Sequence, residues 1–152
     1  MRKAEDPPHV DGRGLAVAVV VSTFNSQLTF ALRDAALETL ANAGVTDVTV
    51  VEVSGSLELP LLAAELAPRH DAVIALGVVI EGETDHYEHV ATQSMAGLMR
   101  VSLDTATPIG NGLLTVRRES HAVDRSKPGP ANKGAEAAHA ALVAARAVAG
   151  LR

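Results

Sequence analysis

The stretch Gly77-Val-Val-Ile-Glu-Gly-Glu-Thr-Asp-His-Tyr-Glu-His-Val90 decides the fold. It begins inside an apolar run, residues 72–80, which is typical of a strand buried on both faces. Beyond the turn at Gly82, apolar residues recur at helical spacing. The stretch therefore predicts a buried strand that passes through a tight turn into a helix. In α/β sheets ligands bind at such places, because helix N-termini carry free N–H groups.

The same change of pattern occurs along the rest of the chain. Strands that alternate with helices predict a parallel sheet covered by helices on both faces. We therefore expect an α/β protein, a flavodoxin-like three-layer α/β/α sandwich with a four-stranded parallel sheet. The predicted strands cover residues 15–21, 48–53, 72–80 and 109–116, and the predicted helices cover residues 28–43, 57–66, 84–101, 119–125 and 131–149, the last with Asn132 as N-cap.

Length and composition limit the class of protein. The chain has 152 residues, of which 47% are hydrophobic and 20% charged, and this suits one globular domain over residues 15–152. We expect residues 1–14 to form a flexible polar arm; alternatively, residues 7–10 lie along a sheet edge or a neighbouring subunit. The absence of cysteine excludes disulfides, a thiol nucleophile and cysteine-based zinc sites.

Charge and hydropathy also limit the partners. The net charge of −5 gives no footprint for nucleic acid. The first 14 residues lack an apolar signal-peptide core, and no apolar run approaches the about 20 residues that span a bilayer. We therefore expect a cytoplasmic protein that has neither a nucleic-acid nor a membrane partner.

In a parallel sheet, all four strand-to-helix turns lie along one edge. That edge would carry an aromatic ring, hydroxyl groups, carboxylates, a histidine and an arginine, which together suit a small-molecule site. The residues concerned are Phe24 and Asn25 after the first strand, Gly55, Ser56, Leu57 and Glu58 after the second, residues 81–86 with Glu83, Thr84 and His86 after the third, and Thr115 and Arg125 after the fourth.

Four of the candidate residues have an ordinary structural alternative. Phe24 is either a stacking platform for a planar ring or an apolar plug at the end of a strand. Glu58 either accepts hydrogen bonds from a ligand or caps a helix. His86 is either an acid–base group that works near neutral pH or a surface histidine. Lys133, at the start of the last helix, either helps to bind a phosphate or is simply solvated.

A metal site is the weaker interpretation of the histidines. Glu83 and His86, like Glu136 and His139, have the Glu-x-x-His spacing of di-iron proteins. That motif belongs in a four-helix bundle with further glutamates, whereas this chain alternates strands and helices. The glycine motifs of dinucleotide-binding and P-loop proteins are also missing from the sequence. We expect no metal.

Taken in order, the motifs resemble those of the lumazine synthase family, the 6,7-dimethyl-8-ribityllumazine synthases. The resemblance keeps family order and spacing over nearly the whole chain after Gly14. The matching segments are Phe24-Asn25 and residues 55–60, 75–80, 82–87, 101–104, 112–115, 124–125 and 132–137.

This resemblance implies an enzyme, a transferase of riboflavin biosynthesis. The family condenses 5-amino-6-(D-ribitylamino)uracil with 3,4-dihydroxy-2-butanone 4-phosphate to 6,7-dimethyl-8-ribityllumazine, and it needs no metal or redox cofactor. By resemblance, Phe24 would stack on the pyrimidine ring, and Ser56-Leu57-Glu58 would hold the ring and the ribityl chain. The main chain of Val78-Val79-Ile80 would contact the ring edge.

The resemblance also assigns the phosphate-bearing substrate. Glu83 and Thr84 would cradle the phosphate at the start of a helix, and His86 would move protons between the reacting groups. Arg125 would pair with the phosphate, and Lys133 would help it.

Family members are homo-oligomers built from pentamers, which pair into decamers or form a sixty-subunit shell. In the family the site lies between neighbouring subunits. By resemblance, Asn111, Arg125 and Lys133 would come from the adjacent copy.

Three positions depart from the family pattern. Glu81 stands where a basic residue is usual, so it removes positive charge near the phosphate. Asn111 occupies a position that is often aromatic, and residues 126–133 carry prolines where many members have glycine. The departure at Glu81 leaves an alternative open: a divergent paralogue that binds flavins or pterins, or forms shells, with weak or no synthase activity.

Overall fold

Strands and helices alternate along the chain in the computed structural model, which describes residues 7–152. The four strands form one parallel sheet in the order β2-β1-β3-β4, which confirms the predicted fold class. Within residues 7–152, no helix combines the length and the apolar composition needed to cross a membrane. The strands are β1 Ala16–Ser22, β2 Asp47–Val53, β3 Ala72–Ile80 and β4 Ile109–Val116, and the helices are α1 Ser26–Asn42, α2 Leu59–Leu66, α3 His86–Thr105, α4 Glu119–Arg125 and α5 Lys133–Gly150.

Alternate side chains of the central strands enter two separate cores. In β1, Val17 and Val19 pack into the core that includes side chains of α1 and α5. Ala18 and Val20 point the other way and pack with α2 and α3. Successive side chains of a strand point to opposite faces of a sheet. The uninterrupted apolar runs are therefore explained by a sheet that is covered on both faces.

Helix α5 lies in close contact with β4 and α1. A Cβ on Gly110 of β4 would overlap the main-chain oxygen of Ala137, and a Cβ on Gly134 would overlap the main chain of Leu32. Small residues are required wherever backbones approach this closely. The buried face of α5 is accordingly made of Gly134, Ala137, Ala138, Ala141, Leu142 and Ala145.

Some helix boundaries differ from the predicted ones. The segment predicted as one helix over residues 57–66 is a 3₁₀ turn, Ser56–Glu58, followed by α2 with Pro60 in its first turn. Helix α3 begins two residues later than predicted and continues to Thr105, where Ala106 adopts a left-handed conformation with φ 50° shortly before Pro108. The predicted N-cap of α5 is confirmed, because the Asn132 side chain accepts hydrogen bonds from two backbone N–H groups.

The predicted arm covers residues 1–14, and its first six residues lie outside the described part of the chain. The rest lies against α1 and α5. Gly12 N donates to Ala43 O at 2.8 Å, and the Arg146 guanidinium donates to the main-chain oxygens of Asp11 and Arg13, both at 2.7 Å. Hydrogen bonds from the Arg13 side chain and backbone hold the pKa of Asp11 well below its usual range. Both side chains are exposed, so their pairing adds little to stability.

Candidate functional site

The carboxyl ends of the strands form the edge at which the predicted residues were expected to meet. Strand β3 extends well past its neighbour β1, because Leu76 is its last residue paired with β1 and the strand continues to Ile80. At about 3.3 Å per residue, this extension rises roughly 13 Å above the last pair. The end of β3 therefore forms a wall beside an open space above β1.

Asn25 closes the lower part of that space. It follows β1 in a left-handed conformation with φ 61°, and its Nδ2 donates a hydrogen bond to Val78 O at 3.1 Å. In a parallel strand, the N–H and C=O of alternate residues face the same side. Ile80 therefore turns its N–H and C=O towards the open space, where neither has a backbone partner among residues 7–152. The upper end of β3 offers one donor and one acceptor to a ligand.

Phe24 is exposed at this edge, so the interpretation as an apolar plug is wrong. The side chain is 68% exposed although its backbone is fixed, with Phe24 N donating to Ser54 O at 3.1 Å. Leu57, after the neighbouring strand β2, is 50% exposed. Two large apolar side chains at the ends of adjacent strands suit contact with a ligand or another subunit.

The 3₁₀ turn after β2 brings a hydroxyl and a carboxylate to the same edge. Ser56 is buried, and its Oγ lies so close to β3 that a Cβ on Gly77 would come within 2.7 Å of it. Glu58 is exposed and makes no capping hydrogen bond, so the structure does not support a capping role. Its carboxylate stays available for a ligand beside Gly55.

Residues 81–85, which join β3 to α3, and His86, the first residue of α3, are all exposed. The first hydrogen bonds of α3 run back to Asp85 from Glu88 N at 3.1 Å and His89 N at 3.4 Å. Thr84 Oγ1 accepts a long bond of 3.4 Å from His86 N. N–H groups of a first helical turn have no intrahelical partner and are suited to bind an anion. Thr84 and His86 thus lie together at a helix start that faces solvent.

An arginine outside the predicted set of site residues lies beside this segment. Arg117 Nε is 3.8 Å from Glu81 Oε2, and Glu81 N donates to Val116 O at 2.9 Å. Glu81 is therefore not the isolated negative charge that the sequence suggested. In the sequence, the doublet Arg117-Arg118 directly after β4 is the feature that could have indicated this cation. Its closeness to Glu81 follows only once β4 is known to lie next to β3.

The predicted residue Asn111 lies away from this edge within the same chain. It pairs with Ala75 near the start of β4, donates to Met95 Sδ at 2.9 Å and accepts from Leu113 N at 3.0 Å. It lies five positions before the strand end at Val116, which corresponds to about 16 Å. Asn111 cannot reach the open space of its own subunit.

Arg125 and Lys133 lie on the opposite face of the sheet from α3. Arg125 ends α4 and donates to His121 O at 3.1 Å, and Lys133 begins α5. Ala122 of α4 packs in the core shared with α1 and α5. Within residues 7–152, neither cation forms an ion pair with Glu58 or Glu83.

The two Glu-x-x-His segments also lie apart. One stands at the start of α3 and the other in α5, and these helices pack on opposite faces of the sheet. In the described part of the chain, no group of three or more His, Cys, Asp or Glu side chains could hold a metal ion. The di-iron geometry, which needs facing helices, is not formed.

Comparison with known proteins agrees with this architecture. The family model described as 6,7-dimethyl-8-ribityllumazine synthase matches residues 14–149. Proteins with that name are similar to this chain: one from Mycobacterium sp. strain KMS is 48% identical over 97% of this chain and 93% of its own length. Another from Mycolicibacterium vanbaalenii is 50% identical over 89% and 87%, and one from Mycobacterium leprae is 44% identical over 95% and 92%. This chain belongs to the 6,7-dimethyl-8-ribityllumazine synthase family.

Proposed function

We propose that this chain is a transferase that condenses 5-amino-6-(D-ribitylamino)uracil with 3,4-dihydroxy-2-butanone 4-phosphate. The products are 6,7-dimethyl-8-ribityllumazine, phosphate and water, in riboflavin biosynthesis. The observation that carries the proposal is the edge above β1, where an exposed aromatic ring, an unpaired strand end and a histidine at a helix start occur together. Family membership gives this edge its chemistry.

The uracil substrate binds between the ends of β1, β2 and β3. Phe24 stacks on the pyrimidine ring, and a pair of aromatic rings gains about 0.5–1.5 kcal/mol beyond the burial of area. The main chain of Val78-Val79-Ile80 bonds the ring edge, and the open N–H and C=O of Ile80 support this role. Ser56-Leu57-Glu58 holds the ring and the ribityl chain, with the uncapped Glu58 carboxylate as acceptor.

The phosphate-bearing substrate binds at the start of α3. Glu83 and Thr84 cradle its phosphate together with free N–H groups of the first helical turn. His86 transfers protons during imine formation, phosphate elimination and ring closure, a role that typically contributes about 10²–10⁴-fold to the rate. Holding two substrates side by side supplies much of the remaining acceleration.

The family implies that the chain assembles with copies of itself. We propose a pentamer, alone, paired into a decamer or within a sixty-subunit shell, in which each site is completed by the adjacent copy. Asn111, Arg125 and Lys133 come from that copy. The proposal is supported by the position of Asn111, about 16 Å below the strand end, and by that of Arg125 and Lys133 on the far face of the sheet.

The alternative of a divergent paralogue depended on the charge of Glu81. Arg117 lies 3.8 Å from that carboxylate, so Glu81 has a cation beside it and the reason for the alternative is weakened. No observation on residues 7–152 and no comparison favours it.

A two-substrate assay tests the proposed reaction. Purified protein is mixed with both substrates, and formation of the lumazine is followed by its absorbance. We expect a rate well above that of the uncatalysed condensation; an equal rate would overturn the proposal. Mass measurement in solution separates pentamer, decamer and sixty-mer, and a monomer that turns over normally would contradict shared sites.

A further inference from the structure

The proposed phosphate subsite lies in a segment with an excess of acidic side chains. Glu81, Glu83 and Asp85 are all exposed there. A phosphate monoester carries a charge of about −1.5 to −2 at neutral pH, so these carboxylates oppose its binding unless a cation of the same chain lies close by, in addition to Arg125 and Lys133 of the adjacent copy. In the part of the chain that the structure describes, the ion pair to this segment is made by Arg117.

The position of Arg117 is set by the sheet. Ile80 pairs with Val116, and Glu81 N donates to Val116 O at 2.9 Å. The residues that follow these two strand ends, Glu81 and Arg117, therefore lie beside each other. From Glu81 to Thr84 the chain spans at most about 11 Å, so the Arg117 side chain belongs to the same edge as the proposed phosphate cradle.

The Arg117 guanidinium has donors to spare. Its Nε lies 3.8 Å from Glu81 Oε2, which is an ion pair without a hydrogen bond, and the side chain is 86% exposed. A guanidinium carries five N–H donors in a planar fork. The fork can bind two oxygens of a phosphate at once, which makes arginine well suited to this group.

We propose that Arg117 binds the phosphate group of the substrate, and that Glu81 is a positioning residue which holds the Arg117 guanidinium at the mouth of the site. The inference rests on the proposed function. Glu81 then does not weaken phosphate binding, because its carboxylate orients the Arg117 guanidinium that binds the phosphate. The ligand chemistry is a phosphate, either in the ester substrate or as the free product.

Binding and kinetics of R117Q test the first part. Calorimetry with inorganic phosphate and steady-state kinetics with both substrates are measured on wild type, R117Q and R118Q. We expect the phosphate Kd and the KM for the ketone phosphate to rise about tenfold in R117Q, since a hydrogen bond to a charged group is lost. The KM for the uracil substrate stays the same, and the effect shrinks at high salt because the site is exposed.

R118Q is the matched control. Arg118 follows in extended backbone, with φ −133° and ψ 144°, so its side chain leaves the chain on the opposite side. The phosphate Kd of R118Q should stay within about twofold of wild type, because exposed charges that make no direct contact are screened.

If R117Q binds phosphate as tightly as wild type, or wild type does not bind it, the inference is overturned even where turnover is normal. If wild type binds phosphate more tightly than R117Q but produces no lumazine, the proposed reaction fails and the role of Arg117 stands.

A charge swap tests the role of Glu81. R117E should raise the KM for the ketone phosphate more than R117Q does, because it adds a further negative charge. The double variant E81R/R117E puts the cation on the end of β3 and the acid on β4, and should recover most of the lost affinity. A double variant as weak as R117E would show that the two residues do not act as a pair.

Discussion

The exposed segment after β3 and the buried contact of α5 contain glycines that behave in opposite ways. At Gly82 a Cβ would meet nothing within 4 Å, whereas at Gly134 it would overlap the main chain of Leu32. Residues 81–86 are all exposed, and the inner face of α5 is buried. In the α5 contact the available space decides which residue fits. In the exposed segment packing does not restrict the size of the side chains, so residues there can be chosen for their chemistry.

The largest expected effect is on the rate, from His86→Gln in the exposed segment. We expect kcat to fall about 10²–10⁴-fold, because a positioned acid–base group is lost. The urea unfolding midpoint should stay the same, because the side chain is exposed and makes no hydrogen bond or ion pair within residues 7–152. Steady-state kinetics and urea unfolding measure the two effects separately.

His89→Gln is the control for that prediction. His89 is also exposed and lies three residues further along the same helix. Its removal should leave kcat nearly unchanged. Equal losses in both variants would mean that His86 acts through general helix charge, not as a proton carrier.

The next largest effect is on stability, from Gly134→Ala in the contact of α5. The new methyl group collides with main-chain atoms, which cannot move as a flexible side chain could. Overpacking of this kind typically costs about 1–3 kcal/mol. The variant should therefore unfold at a clearly lower urea concentration, whereas Gly82→Ala should not. If only the Gly82 variant lost stability, the segment after β3, and not the α5 contact, would be the region restricted by packing.

The two regions also differ in how well the sequence predicted them. Apolar runs and helical spacing indicated all four strands and five helices, because a strand buried on both faces leaves an uninterrupted apolar run and a helix buried on one side leaves apolar residues at helical spacing. The exposure of Phe24 left no such trace, since an aromatic residue after a strand suits a core as well as a ligand. The ion pair of Glu81 with Arg117 joins residues 36 positions apart and depends on strand order, so no local pattern could reveal it.

Asn132→Ala tests the loop that leads into α5. The side chain accepts from Gly134 N at 2.8 Å and donates to Ser126 O at 2.9 Å, so it fixes both the helix start and the preceding loop. Loss of an N-cap typically costs about 1 kcal/mol. Urea unfolding should show a loss of that order. Asn42→Ala, at the exposed end of α1, is the control and should show none.

The smallest effect comes from the only two phenylalanines of the chain, which repeat the comparison of an exposed position with a packed one. Phe24 is exposed at the proposed site, whereas Phe30 lies half-buried in α1 with the Arg33 guanidinium 4.2 Å from its ring centroid. Phe24→Leu should raise the KM for the uracil substrate about threefold, since the stacking part of an aromatic contact is modest, and should leave the urea midpoint unchanged. Phe30→Leu should do the reverse, lowering the midpoint without changing KM. A change in stability from Phe24→Leu without a change in KM would place that ring in a subunit contact, and the exposed edge would then serve assembly before substrate binding.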